Sequence, residues 1–324
     1  MSLAAALVPG EEVATLESGA MRGHGTWIPE GSKTLVSCGA GRVERVNKLV
    51  SVAPVRGRYR GEVGDLVVGR IAEIAHKSWR VNVGSARRAT LALSSVTLPD
   101  DAQRIRTHAD ALAMRSLYAE GDVVCCEVQA VHGDGSVHLH ARSNRYGRLA
   151  NGAAVTVNAH LVRRLPRHFL ALPADVGVEL AVGNNGVVWV QRALKAEWIA
   201  AEASETGGGS GEADALLSAE AWRRVRALHE AEPLDAAAAR RVCRVRNAVA
   251  VLGAAGCVVN EQSILAVYRR SAALALAPAA MLARENVVAL AAPLAGDDAA
   301  GEARGEKRRR DAAAAGDEDV QLAE

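Results

Sequence analysis

The sequence predicts a multidomain chain, β-rich in its first half and α+β in its second, with a five-stranded OB-type barrel at its centre. Three observations carry this. Between Tyr59 and Arg142, five short runs show strand-like patterning, most with apolar and polar residues at period two, separated by polar turns. After Asn151, strands give way to runs with helical spacing. The length of 324 residues, 49% of them apolar, is a prior for two or three domains with cores of their own.

The first unit spans residues 1–58. Its start, MSLAAALVPGEE, is apolar but short and lacks a basic beginning, so it does not read as a signal peptide. Short apolar pieces broken by Pro-Gly, Gly-Ala and Glu-Gly pairs predict a small β unit with tight turns. Leu35 to Val55 reads as a hairpin through Cys38-Gly39-Ala40-Gly41. No helix pattern or third glycine follows Gly39 and Gly41, so a turn and not a phosphate loop is expected there. A core drawn from so few residues is marginal alone, so this unit should pack on something.

The barrel opens with YRGEVGDLVVGRIAEI, a strand announced by the Gly64-Asp65 turn. Trp79, Val81 and Val83 alternate with Arg80 and Asn82, and a short apolar run covers Thr90 to Leu93. Val124, Cys126 and Val128 alternate with Cys125, Glu127 and Gln129, and Val137, Leu139 and Ala141 alternate with His138, His140 and Arg142. One face of each strand is expected in the core and the other in water. Helix formers from Ala109 to Leu117 predict one helix in the connection between Pro99 and Gly121. Small barrels of this kind commonly bind nucleic acid on an exposed strand face.

Beyond Asn151, AAVTVNAHLV reads as a strand, and two more flank Gly183-Asn184-Asn185-Gly186. SETGGGSGEAD at 204–214 reads as a flexible linker or insertion. Helices are expected over Ala215–His229, Leu234–Ala254 and Glu261–Leu274, with Pro278 ending the last and a short helix or loop reaching Leu290. The stretch 296–324 holds nine acids, five bases and no aromatic residue, and is expected to be disordered.

The net charge is only +2, but it is uneven. From Arg142 to His168 there are six Arg and no acid; from Arg56 to Ala89 there are seven Arg and one Lys against Glu62, Asp65 and Glu73. Such blocks point to a polyanion at one surface. Five Cys without a CxxC pair read as reduced thiols, with Cys125 and Cys126 on opposite strand faces. No run approaches the length of a membrane span.

No catalytic constellation is legible. Asp100-Asp101 begins the connecting helix and the other dense acids lie in the tail. His138 and His140 share a strand face without an apparent third ligand, so neither a metal nor a cofactor is expected. The candidate RNA surface comprises Lys77, Trp79, Arg80, Arg87, Arg88, Arg104, Arg106, His138, His140, Arg142 and Arg145. Lys77-Ser78-Trp79-Arg80 pairs cations with a ring suited to phosphate contact and base stacking, although the phase of Trp79 with Val81 and Val83 favours the core for it. With 3% aromatic residues, binding should rest on phosphate charge and tolerate sequence. Gly183 to Gly186 fits the GxxG loop that clamps a nucleic-acid backbone in KH domains. Its flanks are strands, however, and Asn-Gly between strands favours a structural hairpin turn.

MRGHGT (21–26), GRVERVNKL (41–49), YRGEVGDLVVGRIAEI (59–74), LALSSVTLP (91–99), EVQAVHGDGSVHLHARS (127–143) and VGNNGVVWV (182–190) together resemble the cap subunit of the RNA exosome, of the ribosomal-RNA-processing protein 4 kind. The resemblance runs in order over roughly residues 7–290. It implies an N-terminal β domain (1–58) docked on a six-subunit ring, with Met21, Arg22, Gly23, His24, Gly25 and Thr26 in the docking segment. It further implies an S1 domain (59–145), a KH-type domain with a GxNG turn (146–295) and a tail (296–324). The implied role is non-catalytic: to bind RNA, stabilise the ring and guide the strand into its channel for 3′-to-5′ processing and decay in rRNA maturation, RNA surveillance and mRNA turnover. The implied partners are RNA, RNase PH-like ring subunits, other S1/KH cap subunits and an associated exoribonuclease, in nucleus, nucleolus and cytoplasm, with no membrane. A free-standing S1/KH regulator without the ring is the alternative. The insertion at 204–214 and the tail depart from the family pattern, and Lys307-Arg308-Arg309-Arg310 is a candidate nuclear localisation signal.

Overall fold

The computed structural model describes residues 6–16, 19–54, 57–97, 107–143, 145–165, 167–205 and 219–292. The connecting residues 98–106, most of the 204–214 insertion and the whole 296–324 tail lie outside them.

The first unit is two small sheets. Strands β1 (Ala6–Leu7), β2 (Glu12–Thr15), β3 (Met21–Arg22), β4 (Thr26–Trp27), β5 (Thr34–Ser37), β6 (Gly41–Val46) and β7 (Leu49–Pro54) are ordered β1-β6-β7-β3 in one sheet and β2-β5-β4 in the other. The expected hairpin through Cys38–Gly41 is not formed: β5 pairs with β2 and β4, and Cys38–Ala40 carry the chain to the second sheet. Leu35, Val36 and Ser37 are buried in succession, so they face packing on both sides and show no alternation to bind a neighbour in sequence. The hairpin lies instead between β6 and β7, where Asn47 takes a left-handed φ of 56°. The two sheets cross at Gly25, whose φ is 74° and where a Cβ would meet the Val52 carbonyl oxygen at 2.4 Å.

Strands β8 (Leu66–Ala75), β9 (Ser78–Asn82), β10 (Ala89–Val96), β11 (Val123–Val131) and β12 (Val137–Ala141) close into a barrel in the order β8-β9-β10-β12-β11-β8, and β13 (Gly147–Leu149) extends it beside β11. Trp79, Val81, Leu91, Val124, Val128 and Leu139 fill it. Helices α1 (His108–Leu112) and α2 (Met114–Leu117) cap one end, where Met114 is buried and Trp79 Nε1 donates to Tyr118 O at 3.1 Å. The Thr107–Asp110 capping box starts α1. The first strand begins at Leu66 and not at Tyr59, because residues 59–65 fold into a turn around Asp65. Its carboxylate accepts from Tyr59 Oη at 2.6 Å and from Glu62 N at 3.0 Å.

The last unit is an antiparallel sheet ordered β14-β17-β16-β15, from β14 (Gly152–Thr156), β15 (Phe169–Ala171), β16 (Val178–Val182) and β17 (Val187–Arg192). The expected strand over 153–162 ends at Thr156 and continues as a 3-10 turn. Helices α3 (Ala196–Glu205), α4 (Ala219–Ala231), α5 (Ala236–Ala255), α6 (Glu261–Ala273) and α7 (Arg284–Ala291) follow. Val155, Val178, Leu180, Val188 and Val190 pack against Val245, Val249 and Leu252 of α5. Gly256 closes α5 at φ 70°, and an Asn260–Ser263 capping box opens α6. The short strand β15 and helix α3 had not been expected.

The expectation that each barrel strand keeps one wet face fails along β8 and β11. Leu66, Val68 and Cys125 point outward and are buried against Ala181 and Trp189 of the last sheet. Cys125 and Cys126 do face opposite ways, into two different cores, and burial pushes the Cys125 thiol up to about 12.

Candidate nucleic-acid interface

The barrel's outer surface over β9, β10 and β12 gathers four of the expected residues, Arg80, Arg87, Arg88 and His138. Thr90 stands opposite Arg80 on one side and His138 on the other, and Arg80 Nη1 donates to Thr90 Oγ1 at 2.8 Å. Arg87 and Arg88, in the loop entering β10, bring their guanidinium groups to the same place. Together with Glu73 and Asp134 they ring a shallow hollow of about 420 Å³. The acids temper the charge: Arg87 pairs with Asp134 at 2.8 Å and Arg88 with Glu73 at 3.4 Å, all four side chains well exposed. Hydrogen bonds from Ser136, then the Arg87 charge, hold the Asp134 carboxyl below the usual carboxylate range. Water screens exposed pairs of this kind, so a phosphate exchanges for them at small cost.

The remaining expected residues are dispersed. Lys77 is exposed in the β8–β9 turn, with a left-handed φ of 54°. Trp79 is 0% exposed: it is barrel core, and its ring offers no face to a base. His138 contacts His132 with ring centroids 4.6 Å apart. His140, half-buried further along the strand, lies 3.9 Å from Glu127 and 6.3 Å from the Tyr146 ring. Arg142 is exposed where the strand ends. Arg145 has left the barrel face and lies over Phe169 (5.4 Å) and Trp222 (5.6 Å) in the seam between the barrel, the last sheet and α4. Arg104 and Arg106 fall outside the described residues.

Gly183 to Gly186 join β16 to β17 as a turn, and that turn is driven into the barrel. Strand β9 stops at Asn82, and the Asn185 carboxamide takes the position beside Val68 that a longer strand would have filled. Its Nδ2 donates to Val68 O at 2.8 Å and Val83 O at 2.9 Å, and its Oδ1 accepts from Val68 N at 3.2 Å. Asn184 Nδ2 donates to Asp65 Oδ1 at 2.9 Å, so Asp65 ties Tyr59, the barrel entry and the last sheet together. Both Asn side chains are buried. Their burial had no sequence signal beyond the tetrapeptide itself.

In MRGHGT, Met21, Arg22 and His24 are exposed, whereas Thr26 is buried and its Oγ1 donates to Gly23 O at 2.8 Å. Met21 pairs with Leu49, which is also exposed at 41%, and Trp27 of the other sheet is 45% exposed. Among the described residues, no group of three or more His, Cys, Asp or Glu is disposed to hold a metal ion, and no helix is long and apolar enough to cross a membrane.

Comparison with known proteins gives the barrel and the sheet their families. Residues 58–130 match the family described as RRP4, S1 domain, and residues 152–195 match the KH domain family. The chain is 48% identical over 184 residues to the exosome complex component RRP4 of Bos taurus. Over this part the chain is similar to the RRP4 exosome components. Identity is 44% over 186 residues to the RRP4 of Saccharomyces cerevisiae and 29% over 174 residues to that of Thermococcus kodakarensis. The matched part is 57% of this chain and spans 61% of the bovine RRP4, 50% of the yeast one and, over 52% of this chain, 65% of the archaeal one. Arg80, Arg87 and Arg88 of the basic hollow thus lie in the stretch that matches the RRP4 S1 family, and the buried GNNG turn in the stretch that matches the KH family.

Proposed function

We propose that this chain is a non-catalytic RNA-binding cap subunit of an exosome complex. The S1 barrel tracks the sugar–phosphate backbone of a single strand, and the strand passes to the channel of an RNase PH-like ring and on to an associated exoribonuclease for 3′-to-5′ processing and decay. The observation that carries this is the convergence of Arg80, Arg87, Arg88 and His138 on one hollow of an RRP4-type S1 barrel. Lys77 and Arg142 extend the cationic surface along the strands. With Trp79 in the core, this face reads phosphate and not base, so it tolerates sequence. The GNNG turn is structural, since an RNA backbone has no access to it.

The N-terminal unit (1–58) supplies the contact with the ring and with other S1/KH cap subunits. Met21 and Leu49, paired across β3 and β7, and Trp27 of the other sheet are exposed apolar residues suited to such a contact. The S1 domain (59–145) forms the RNA wall and the KH-type domain (146–295) braces it. Action on ribosomal and messenger RNA in nucleus, nucleolus and cytoplasm follows from the same reading.

The test separates the two surfaces. Replacing Lys77, Arg80, Arg87 and Arg88 with Ala should weaken RNA binding. It should also reduce the slope of log affinity against log salt by up to about 3, since each single-strand phosphate contact contributes roughly 0.7. An unchanged slope would put the RNA elsewhere. Met21→Asp with Trp27→Asp should lose co-purifying ring subunits and keep RNA affinity. Failure of the wild-type chain to recover any ring would favour a free-standing RNA-binding regulator.

A further inference from the structure

We propose that the seam between the barrel, the KH sheet and α4 is a pocket for one unstacked RNA base. This rests on the reading above that RNA is the partner, and it adds base recognition to a face that reads only phosphate.

The seam holds a cavity of about 390 Å³ lined by Tyr146, Phe169, Glu179, Trp222, Arg226 and His229, among others. Phe169, Glu179 and Ala181 line it from the KH sheet face turned away from α5. Its volume falls in the range of about 300–1,000 Å³ that small-ligand sites occupy. Helix α4 roofs it with Trp222, Arg226 and His229, spaced four and three residues apart on one side of the helix. Two anchors hold the roof. Arg226 Nη1 donates to Tyr146 O at 2.8 Å. Asn151 Nδ2 donates to the C-terminal carbonyls of His229 at 2.7 Å and Glu230 at 3.0 Å.

Three kinds of group converge there. Phe169, the only Phe of the chain, stacks with Tyr146 at 6.4 Å and 26°, and the Arg145 guanidinium lies between Phe169 and Trp222. Aromatic rings and Arg planes are what take up unstacked bases. His229 is only 4% exposed, and neither Nδ1 nor Nε2 has a partner. A neutral imidazole presents one donor and one acceptor on diverging sides of the ring, so the nitrogen that faces the cavity can pair with one acceptor or donor on the edge of a base. Buried polar atoms are almost always satisfied, so an imidazole with both nitrogens unmet beside a cavity marks a position where something else meets them. The cationic side chains Arg145, Arg223 and Arg226 suit the attached phosphate. An inorganic anion would use the cations and leave the rings and His229 idle; a base with its phosphate uses all three.

The test measures binding of short oligoadenylate and oligouridylate, each intact and with one abasic ribose, to the full chain. Intact RNA should bind roughly tenfold tighter than the abasic form for at least one base. Ala227→Phe, at an exposed position lining the cavity, and His229→Leu should each erase that preference and leave the salt slope unchanged. Arg80→Ala with Arg87→Ala and Arg88→Ala should do the reverse. Adenosine and uridine alone, followed by His229 ring-proton shifts, examine the pocket without a backbone. The pocket is refuted, with the S1 face intact, if wild type shows no preference, if the preference survives both seam variants, or if RNA binds while neither nucleoside moves His229. A preference that persists while the face variant leaves the slope unchanged refutes the S1 reading and keeps the pocket.

Discussion

Asn185→Ala should be strongly destabilising. The side chain makes three hydrogen bonds, at 2.8, 2.9 and 3.2 Å, to Val68 O, Val83 O and Val68 N, where both valines are at most 1% exposed. Removing it strands two carbonyls and one N–H away from water. Each such group costs about 1–3 kcal/mol. Carbonyls retain a second lone pair, and a water entering the vacated volume restores part of the loss, so the expected total is about 3–5 kcal/mol. For a chain of this size each kcal/mol moves the melting midpoint by about 2–4 °C, which predicts a fall of about 10 °C by circular dichroism or calorimetry. Asn185→Asp keeps the shape but sets a carboxylate against two carbonyls, so it should be no more stable than the Ala variant. Hydrogen exchange should quicken first at the Val68 amide. A loss under about 1 kcal/mol, or an Asp variant as stable as Asn, would show that the carboxamide does not stand in for the missing strand.

Other expectations follow from the same geometry. Gly25→Ala forces a Cβ to 2.4 Å from Val52 O at a φ of 74°; it should destabilise the N-terminal unit by about 2 kcal/mol or more, read as a separate early transition, and an unchanged melt would refute the crossing. Burial, then the Arg192 charge, lowers the protonation of folded His229, against a weaker opposite pull from Glu232. The unfolded imidazole takes up a proton near pH 6.5. As pH falls through that value the unfolded chain therefore binds protons that the folded chain does not, and stability drops; above it, His229 contributes no slope. Wild type should lose more stability than His229→Gln between about pH 7.5 and 5.5, and parallel losses would contradict the buried neutral imidazole. The purified chain should not degrade RNA; metal-dependent cleavage that survives repurification would overturn its non-catalytic assignment.

The barrel was legible because alternation survives wherever one side of a strand faces water. Trp79, Val81 and Val83 against Arg80 and Asn82 is such a case, and all three apolar members are core. The same rule misread Leu35–Ser37, Leu66 and Val68, where packing on both faces leaves an unbroken apolar run that carries no direction. Helix α3 was overlooked although four Ala in ten residues favour a helix, because its neighbour is a Gly/Ser-rich segment that reads as linker. The ladder position filled by Asn185 has no local signature, since the gap it fills lies 117 residues away at Val68.

Site residues divide along the same line. Arg80, Arg87, Arg88 and His138 could be found because strand register and a short loop keep them together, within about sixty residues of chain. The seam could not be found this way. Tyr146, Phe169 and the α4 pair Trp222 and His229 come from three separate segments, and none is unusual for its type at its own position. What joins them is the docking of one sheet on the barrel through Asp65, Asn184 and Asn185, followed by α4 closing over the gap. The GNNG turn thus has a consequence at a distance. By locking the KH sheet to the barrel, it fixes the separation between Tyr146 and Phe169, so loosening Asn185 should perturb the seam before it perturbs the basic hollow, which lies wholly within the barrel.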